Sequence, residues 1–534
     1  MIRVAAAQLA AGTDVAANLD ACLRMIDAAA DARAELVVLP EFCNHLSWYD
    51  DRVHAHRMAC RIQDPFLTAI ADRACRHAIY VKIGVTLARD DGRTTGTSLL
   101  FGPDGALLGE SDKQILMGAE NDYLDPGLDD SPVIETPLGR IGMYACMEGV
   151  INEVTRSLTV RGAQLLLNSL NSFAIDEAGL HIPVRAAENK VWVVAANKIG
   201  PLLPGDQLPA IAERLGVPPD RLHGAGESQI VAPDGTCVAM APAAGEAIVF
   251  ADIDLTRADD KHRPDGTDVI AARRPAIYTP LREDALRSAA PGADHLTAAV
   301  SVPDPHAIAR MAPDLDLIVL PELAAVTVPE IVRALTNTSC RVVTSLRAGG
   351  AHHGVLIDAG GVAGRQPQLH PTARHPWLTE PGDELTVFAL PWGRLALVVG
   401  DDALFPETFR LAAVQDADVV AVAHTPGEEW ELRLGLPERS AENRLNVVAA
   451  GFAPDRALVG GIYGLSPDFT LWSAWRGPFT GVISHPEVTP VPPGATAVRA
   501  TIRPAQAVNR LISRGTDLVA GRPRRPMDAM TGQR

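Results

Sequence analysis

Leu36-Val-Val-Leu-Pro-Glu-Phe42 and Leu317-Ile-Val-Leu-Pro-Glu-Leu323 are one pattern written twice. An apolar run that stops at proline and then presents a carboxylate reads as a buried strand ending at an acidic residue, and its repetition constrains the fold more than any bulk property. The copying extends further. Leu356-Ile-Asp-Ala-Gly-Gly361 repeats the hairpin around Pro103-Asp104-Gly105, and Arg439-Ser-Ala-Glu-Asn-Arg444 repeats Arg185-Ala-Ala-Glu-Asn-Lys190. Two domains of one kind are therefore expected, the first over 1–285 and the second over 295–515, with an Ala-, Pro- and charge-rich connector near 279–294. A length of 534 residues permits this, because single cores stop growing at about 250 to 300 residues. Residues 516–534, rich in arginine and proline, read as a flexible tail.

Within the first copy, strands and helices alternate. Residues 2–10 read as a buried strand, 18–34 as a helix on the spacing of Leu19, Leu23, Ile26 and Ala30, and 65–77 as a second helix. Strands follow at 79–87 and 97–101, a helix at 150–161, a strand at 164–169, a helix around 185–190 and a strand at 191–197. Such alternation implies α/β layering, with helices covering sheet faces. The stretch 201–224 interrupts the pattern. A short helix at Ile211–Leu215 fits within it, and it reads equally as a cap over a site or as a surface insertion.

Three chemistry-bearing residues stand at element ends. Glu41 closes a strand, Lys113 follows a hairpin in Ser111-Asp-Lys-Gln114, and Cys146 ends the apolar run Gly139-Arg-Ile-Gly-Met-Tyr-Ala-Cys-Met-Glu-Gly149 just before a helical pattern. A thiol at a strand–helix junction gains from the helix dipole and from free first-turn amides, which favours thiolate. With acid, cation and thiol in this order, the sequence resembles the nitrilase superfamily of carbon-nitrogen hydrolases. Arg185 to Asn197 and Glu227 to Gly235 match further segments of that family, so the resemblance covers nearly all of 1–256. It implies a four-layer αββα sandwich, which the internal repeats duplicate in tandem.

The resemblance also implies roles. Cys146 is the expected nucleophile, Glu41 the general base, Lys113 the oxyanion partner aided by the backbone amide of Met147, and Glu120 a second glutamate that positions substrate and tunes Lys113. Trp48, Tyr49 and Trp192 are candidate pocket residues, each with aromatic core packing as the plainer alternative. Glu153 and Arg156, three apart on a helix, read as a supporting ion pair. Met147-Glu148-Gly149 departs from the Cys-Tyr-Asp of many members, so the motif leaves the substrate branch open.

Register between the copies follows from Pro-Leu-Gly-Arg140 and Pro-Trp-Gly-Arg394, and from Pro126-Gly127 and Pro381-Gly382. Counting from these sets Gly400 opposite Cys146, Gln368 opposite Lys113, His375 opposite Glu120 and Glu322 opposite Glu41, while Asp402, Glu407 and Arg410 answer Glu148, Glu153 and Arg156. Glycine forms no thioester and glutamine carries no charge, so the second copy is expected to be a pseudo-enzyme, paired with the first as an intrachain pseudodimer. Further self-association of whole chains is left open.

A formal charge of −17 argues against nucleic acid or an anionic membrane surface as partner. The start of the chain is too short and too polar at Gln8 for a secretory segment, and no run reaches membrane-spanning length, so a cytoplasmic protein is expected. Cys22, Cys43, Cys60, Cys75, Cys146, Cys237 and Cys340 lack metal-ligand spacing and read as reduced thiols; neither a metal nor a cofactor is indicated. The expected activity is thiol-dependent hydrolysis of a small carboxamide, N-carbamoyl or hydrazide compound. Nitrile hydrolysis and acyl transfer to an amine are the enzymatic alternatives, and a non-catalytic scaffold is the alternative from another class.

Overall fold

The structure, a computed structural model, describes residues 1–286, 290–467 and 480–533. Four six-stranded sheets dominate it, two in each half. In the first half one sheet runs in spatial order Ala247–Ile253, Ile2–Gln8, Leu36–Val38, Tyr80–Ala88, Thr94–Phe101, Leu107–Asp112. The other runs Cys237–Met240, Gln229–Val231, Trp192–Ala196, Leu165–Ser169, Gly139–Ala145, Val133–Thr136. The second half repeats both orders, with Ala497–Ile502, Leu296–Ser301, Leu317–Val319, Arg341–Ala348, Ala351–Asp358, Gly361–Pro367 in one sheet and Glu487–Pro490, Leu458–Gly464, Asn446–Phe452, Val419–His424, Gly393–Val399, Val387–Leu390 in the other.

Central strands are parallel and edge strands antiparallel, as in Ile2–Gln8 against Leu36–Val38 and against Ala247–Ile253. Parallel strands covered on both faces are mainly apolar: Leu165–Ser169 and Trp192–Ala196 are buried at every position, with polar side chains only at Asn168 and Ser169, beside the site. Val4, Ala6, Leu36 and Val38 of one sheet meet Ile141, Met143, Leu165 and Val194 of the other in the inner layer. On the outer face Cys22, Ile26, Phe66 and Ile70 of two helices pack on Ala5, Val37, Val81 and Val85. This is the αββα sandwich, present twice.

The helix expected at 18–34 spans Val15–Asp31, started by Asp14, whose carboxylate accepts the Ala16 and Ala17 N–H groups. The helix expected at 150–161 is present, spanning Glu153–Val160. One turn, Met147–Val150, precedes it. Lys113 comes directly after the expected hairpin, whose strands are Thr94–Phe101 and Leu107–Asp112.

The two halves meet through residues that the repeat relates. Arg156 Nε lies 2.9 Å from Glu407 Oε1, and Arg410 Nε lies 2.8 Å from Glu153 Oε1. Glu153 and Arg156 are thus partners across the halves, correcting the local ion pair expected of them: both side chains face the opposing half. Arg185 donates to Glu438 at 2.5 Å and to Glu442 at 2.8 Å, while Arg439 donates to Glu188. Arg156–Glu407 and Arg185–Glu442 have their counterparts in Arg410–Glu153 and Arg439–Glu188 with the halves exchanged, the mark of a self-complementary surface, while Glu438 stands where the first half has Val184. All these side chains are buried.

Residues 516–534 are not a flexible tail over their described part. Leu518, Val519, Met527 and Met530 join Met147, Val150, Ile151, Tyr278, Phe409 and Leu436 in one core that spans both halves, and Arg522 donates to the Leu281 carbonyl at 3.0 Å. The charges that suggested a tail are capped by carbonyls and carboxylates, while the four apolar side chains anchor the segment. Among the described residues no helix is long and apolar enough to cross a membrane.

Candidate active site

Glu41, Lys113, Glu120 and Cys146 converge. Lys113 Nζ lies 2.9 Å from Glu41 Oε1 and donates to both oxygens of Glu120 at 2.9 Å. Beyond this ion pair with Lys113, neither Glu41 oxygen has a hydrogen-bond partner among the described residues, although the carboxylate is buried. Cys146 sits just past Gly139–Ala145 with φ 47°, a left-handed conformation that a non-glycine residue adopts only when its surroundings impose it. Here its N–H donates to Ser169 O at 3.0 Å and to Asn168 Oδ1 at 3.1 Å. Glu148 secures the junction by accepting Ala145 N–H at 2.8 Å and Gln114 N–H at 2.7 Å, tying the cysteine loop to the lysine loop.

Burial governs the charges. It pushes Glu41 up to about 7, with Lys113 opposing and Glu120 reinforcing the rise. Glu148 is likewise raised to about 7 by burial, against the two N–H groups it accepts. Burial also disfavours charge on Lys113, but the Glu120 and Glu41 carboxylates outweigh it and hold the ammonium well above its ordinary range. Cys146 is pushed well above the usual thiol range, by burial first and against the pull of Lys113. The expectation of a dipole-stabilised thiolate is therefore corrected. The helix after Cys146 is one turn long, too short for a sizeable macrodipole, and desolvation wins. The resting nucleophile is a thiol beside a base that titrates near neutrality.

Cys146 and Glu120 line a cavity of about 940 Å³. Trp48 and Tyr49 line it too, whereas Trp192 does not. Trp192 packs in the inner sheet layer, its indole N–H donating to the Asp254 carbonyl at 2.8 Å and its ring under Arg257; it begins its strand, whereas Cys146 follows the far end of a strand parallel to it in the same sheet. The 201–224 stretch supplies Leu202, Leu203, Ile211, Arg214, Leu215 and Leu222 to the cavity wall. Its base is clasped by Ile199–Pro201 pairing with His223–Ala225, its helix is Leu208–Leu215, and its small core packs on Trp48. The insertion is a wall of the cavity rather than a surface ornament.

Contributions from the second half were not legible beforehand. Ile483 and Arg514 line the same cavity. Asp176 holds the Ile483 segment by accepting the N–H groups of Ile483, Ser484 and His485 at 2.9 to 3.1 Å. Ser513 Oγ accepts Gly118 N–H at 2.9 Å and Thr516 Oγ1 donates to Leu116 O at 2.7 Å, bracing the loop that presents Glu120. Glu177, a cavity residue raised to about 7 by burial, was missed for want of any local signal. Glu148, two positions after the cysteine, was within reach of sequence reasoning.

The second half carries the counterpart site. Gly400 has φ 55° where Cys146 has 47°, and Leu323 has 46° where Phe42 has 51°. Gln368 N–H donates to His352 O as Lys113 N–H donates to Gly96 O, so the counted register holds and His352 replaces a glycine. Glu322, His352 and His375 offer ligand atoms within 4.8 Å of one another, a grouping that the linear spacing behind the no-metal expectation could not reveal.

The carbon-nitrogen hydrolase family profile matches residues 3–263 and 287–453. Relatives include a nitrilase of Pyrococcus abyssi, 26% identical over 262 residues (49% of this chain, 92% of the relative). A nitrilase and fragile histidine triad fusion protein of Caenorhabditis elegans is 25% identical over 292 residues, covering 52% of this chain and 61% of the relative. An omega-amidase of Xenopus tropicalis is 29% identical over 251 residues, with shares of 45% and 83%. Among solved structures, the Caenorhabditis fusion protein aligns with 48% of this chain and 62% of its own at 23% identity and a TM-score of 0.41. An amidase from Nesterenkonia sp. AN1 aligns over 49% and 97%, at 21% identity and a TM-score of 0.40.

Proposed function

The chain belongs to the carbon-nitrogen hydrolase family, and from that premise we propose that its first half is a thiol-dependent amidase acting on a non-peptide C–N bond of a small carboxamide, N-carbamoyl compound or hydrazide. The observation that carries the reading is the buried Glu41–Lys113–Glu120 cluster beside Cys146, whose components would be costly to bury for structure alone.

Cys146 Sγ attacks the substrate carbonyl carbon while Glu41, with oxygens free of other donors, takes the thiol proton. The tetrahedral oxyanion lies against the Lys113 ammonium and the amide of Met147, a first-turn donor with no intrahelical acceptor. Losing one such donor costs about 3 kcal/mol of transition-state stabilisation. Collapse expels the amine, which receives the proton from Glu41, and leaves a thioester on Cys146. Glu41 then takes a proton from water as it attacks the thioester and returns it to the departing Cys146 sulfur, releasing the acid and restoring the resting thiol. Glu120 keeps Lys113 charged and fixed. The cavity wall of Trp48, Tyr49, Phe173, Ile211 and Leu215 suits a substrate with an apolar body.

The second half we read as non-catalytic, since its counterpart of the nucleophile is Gly400, and as a partner that builds the first half's site through Ile483, Arg514 and Ser513. Intact-mass spectrometry after exposure to a panel of amides, carbamoyl compounds, hydrazides and nitriles tests the reading. An acyl adduct is expected on the wild-type chain and not on Cys146→Ala, with amine or ammonia released at least 10³-fold faster by the former, by analogy with loss of other nucleophiles. A Cys146→Ala chain as active as wild type would sink it. Faster turnover of a nitrile than of its matched amide would replace amidase with nitrilase.

A further inference from the structure

We propose that the counterpart site of the second half binds a divalent transition-metal ion of the zinc class through Glu322 Oε2, His352 Nε2 and His375 Nε2.

Gln368 orients both rings. Its amide nitrogen donates to the His370 carbonyl at 2.7 Å; because a carbonyl only accepts, the amide oxygen must face the other way. That oxygen meets His352 Nδ1 at 2.7 Å and His375 Nδ1 at 3.0 Å, so both Nδ1 atoms carry protons and both Nε2 atoms present lone pairs. A partner on the second ring nitrogen that fixes the ligating tautomer is what metal-binding histidines require.

The two Nε2 atoms lie 4.0 and 3.8 Å from Glu322 Oε2. Glu322 is 6% exposed, and its Oε2 has no hydrogen-bond partner. Arg374 holds the other oxygen, Oε1, and also pairs with Asp401, so Oε2 alone is left facing two lone pairs. The Ser345 hydroxyl meets His352 Nε2, but Glu322 Oε2 and His375 Nε2 face each other at 3.8 Å as acceptor against acceptor, which in a buried site calls for a cation between them. Donors around a tetrahedral ion with bonds of about 2.0 to 2.1 Å stand about 3.4 Å apart, so the Nε2–Oε2 spacings of 4.0 and 3.8 Å must contract by about half an ångström, and the two Nε2 atoms, within 4.8 Å of each other, must also close on the ion. Two imidazoles and one carboxylate select zinc-class ions over magnesium or calcium.

Gly400 keeps the space open. A Cβ there would lie 2.9 Å from Glu322 Oε2, 2.9 Å from Gln368 Oε1 and 3.1 Å from His375 Cε1. The position answering the nucleophile has thus lost its side chain where the ion would sit, and the positions answering Glu120 and Gly96 have become imidazoles. Ser345 is the internal competitor. Its hydroxyl accepts Leu323 N–H at 2.9 Å and donates to His352 Nε2 at 2.7 Å, a bond that the ion displaces.

The test uses the tag-free full chain carrying Cys146→Ala, stripped with chelator and titrated with Co²⁺ and Zn²⁺ by calorimetry and visible absorption. One equivalent is expected to bind, with ligand-field bands and no thiolate charge-transfer band. His375→Ala and Glu322→Gln, with circular dichroism unchanged, should weaken binding by more than about 100-fold, and Gln368→Leu, which frees the tautomers, by about 10- to 100-fold. Ser345→Ala should tighten it. The proposal is overturned by failure to bind either ion more tightly than the His375→Ala chain does. Binding that survives Glu322→Gln, or nitrogen NMR showing His375 doubly protonated at saturating Zn²⁺, overturns it equally.

Discussion

At the scale of single residues the site is a balance between burial and charge. Lys113 is enclosed by two carboxylates, donating to both oxygens of Glu120 and pairing with one oxygen of Glu41; among the described residues Glu41 has no other donor, which leaves it open to proton transfer. Because burial raises Glu41 to about 7, the carboxyl is protonated below that pH and cannot accept the thiol proton. The acylation rate is therefore expected to fall as pH drops through about 7, measured as single-turnover thioester formation between pH 5 and 9. Glu148 and Glu177 are also raised to about 7, so assignment needs variants: Glu41→Asp should move the midpoint and Glu177→Gln should leave it in place. The reverse pattern would give the limb to Glu177 and remove Glu41 as the base.

At the scale of elements, the C-terminal segment carries the clearest departure from what its composition suggests. Met527 and Met530 are at most 1% exposed, and the turn Pro526–Met530 lies on the helix Glu153–Val160. Met530→Ala is expected to cost about 2 to 5 kcal/mol, read from denaturant unfolding, where a mobile tail would register within about 0.5 kcal/mol. The 201–224 insertion was legible as an excursion because its flanks matched known segments and its interior did not. Its use as a cavity wall was not, since that depends on Trp48, far back in the chain, being packed beneath it.

At the scale of the whole molecule the two halves are joined by buried, reciprocal ion pairs. Such pairs contribute little net stability over apolar packing but make one geometry unique, and removing one member strands the other. Burial opposes charge on Glu407, yet Arg156 and Arg273 hold its carboxyl far below the ordinary range. Arg156→Ala should therefore destabilise by about 3 to 5 kcal/mol, with Arg156→Met milder only if paired with Glu407→Gln; equal stability of Arg156→Ala and wild type in denaturant would refute the role. In the pairing we propose, residues 1–285 alone would expose Met147, Val150 and Arg185 to water and lose the Ser513 brace. That fragment is expected to aggregate or to lose activity. A monomeric, soluble and fully active fragment would end the pairing proposal.

What the sequence determined by itself was the local and the repeated: apolar runs long enough to be strands, turns that end them, acid, cation and thiol at their ends, and the duplication with its register. These are legible because strand burial and turn geometry depend on neighbours within a few positions, and because two copies under one fold must share spacing. Only the tertiary structure decided which distant groups share a site. Ile483 and Arg514 entering the cavity, Trp192 leaving it, Arg156 crossing to Glu407 and Glu322 facing two imidazoles all depend on where folded layers place side chains far apart in the chain. The protonation of Cys146 belongs with them, since desolvation depends on everything packed around a group and not on the residues beside it.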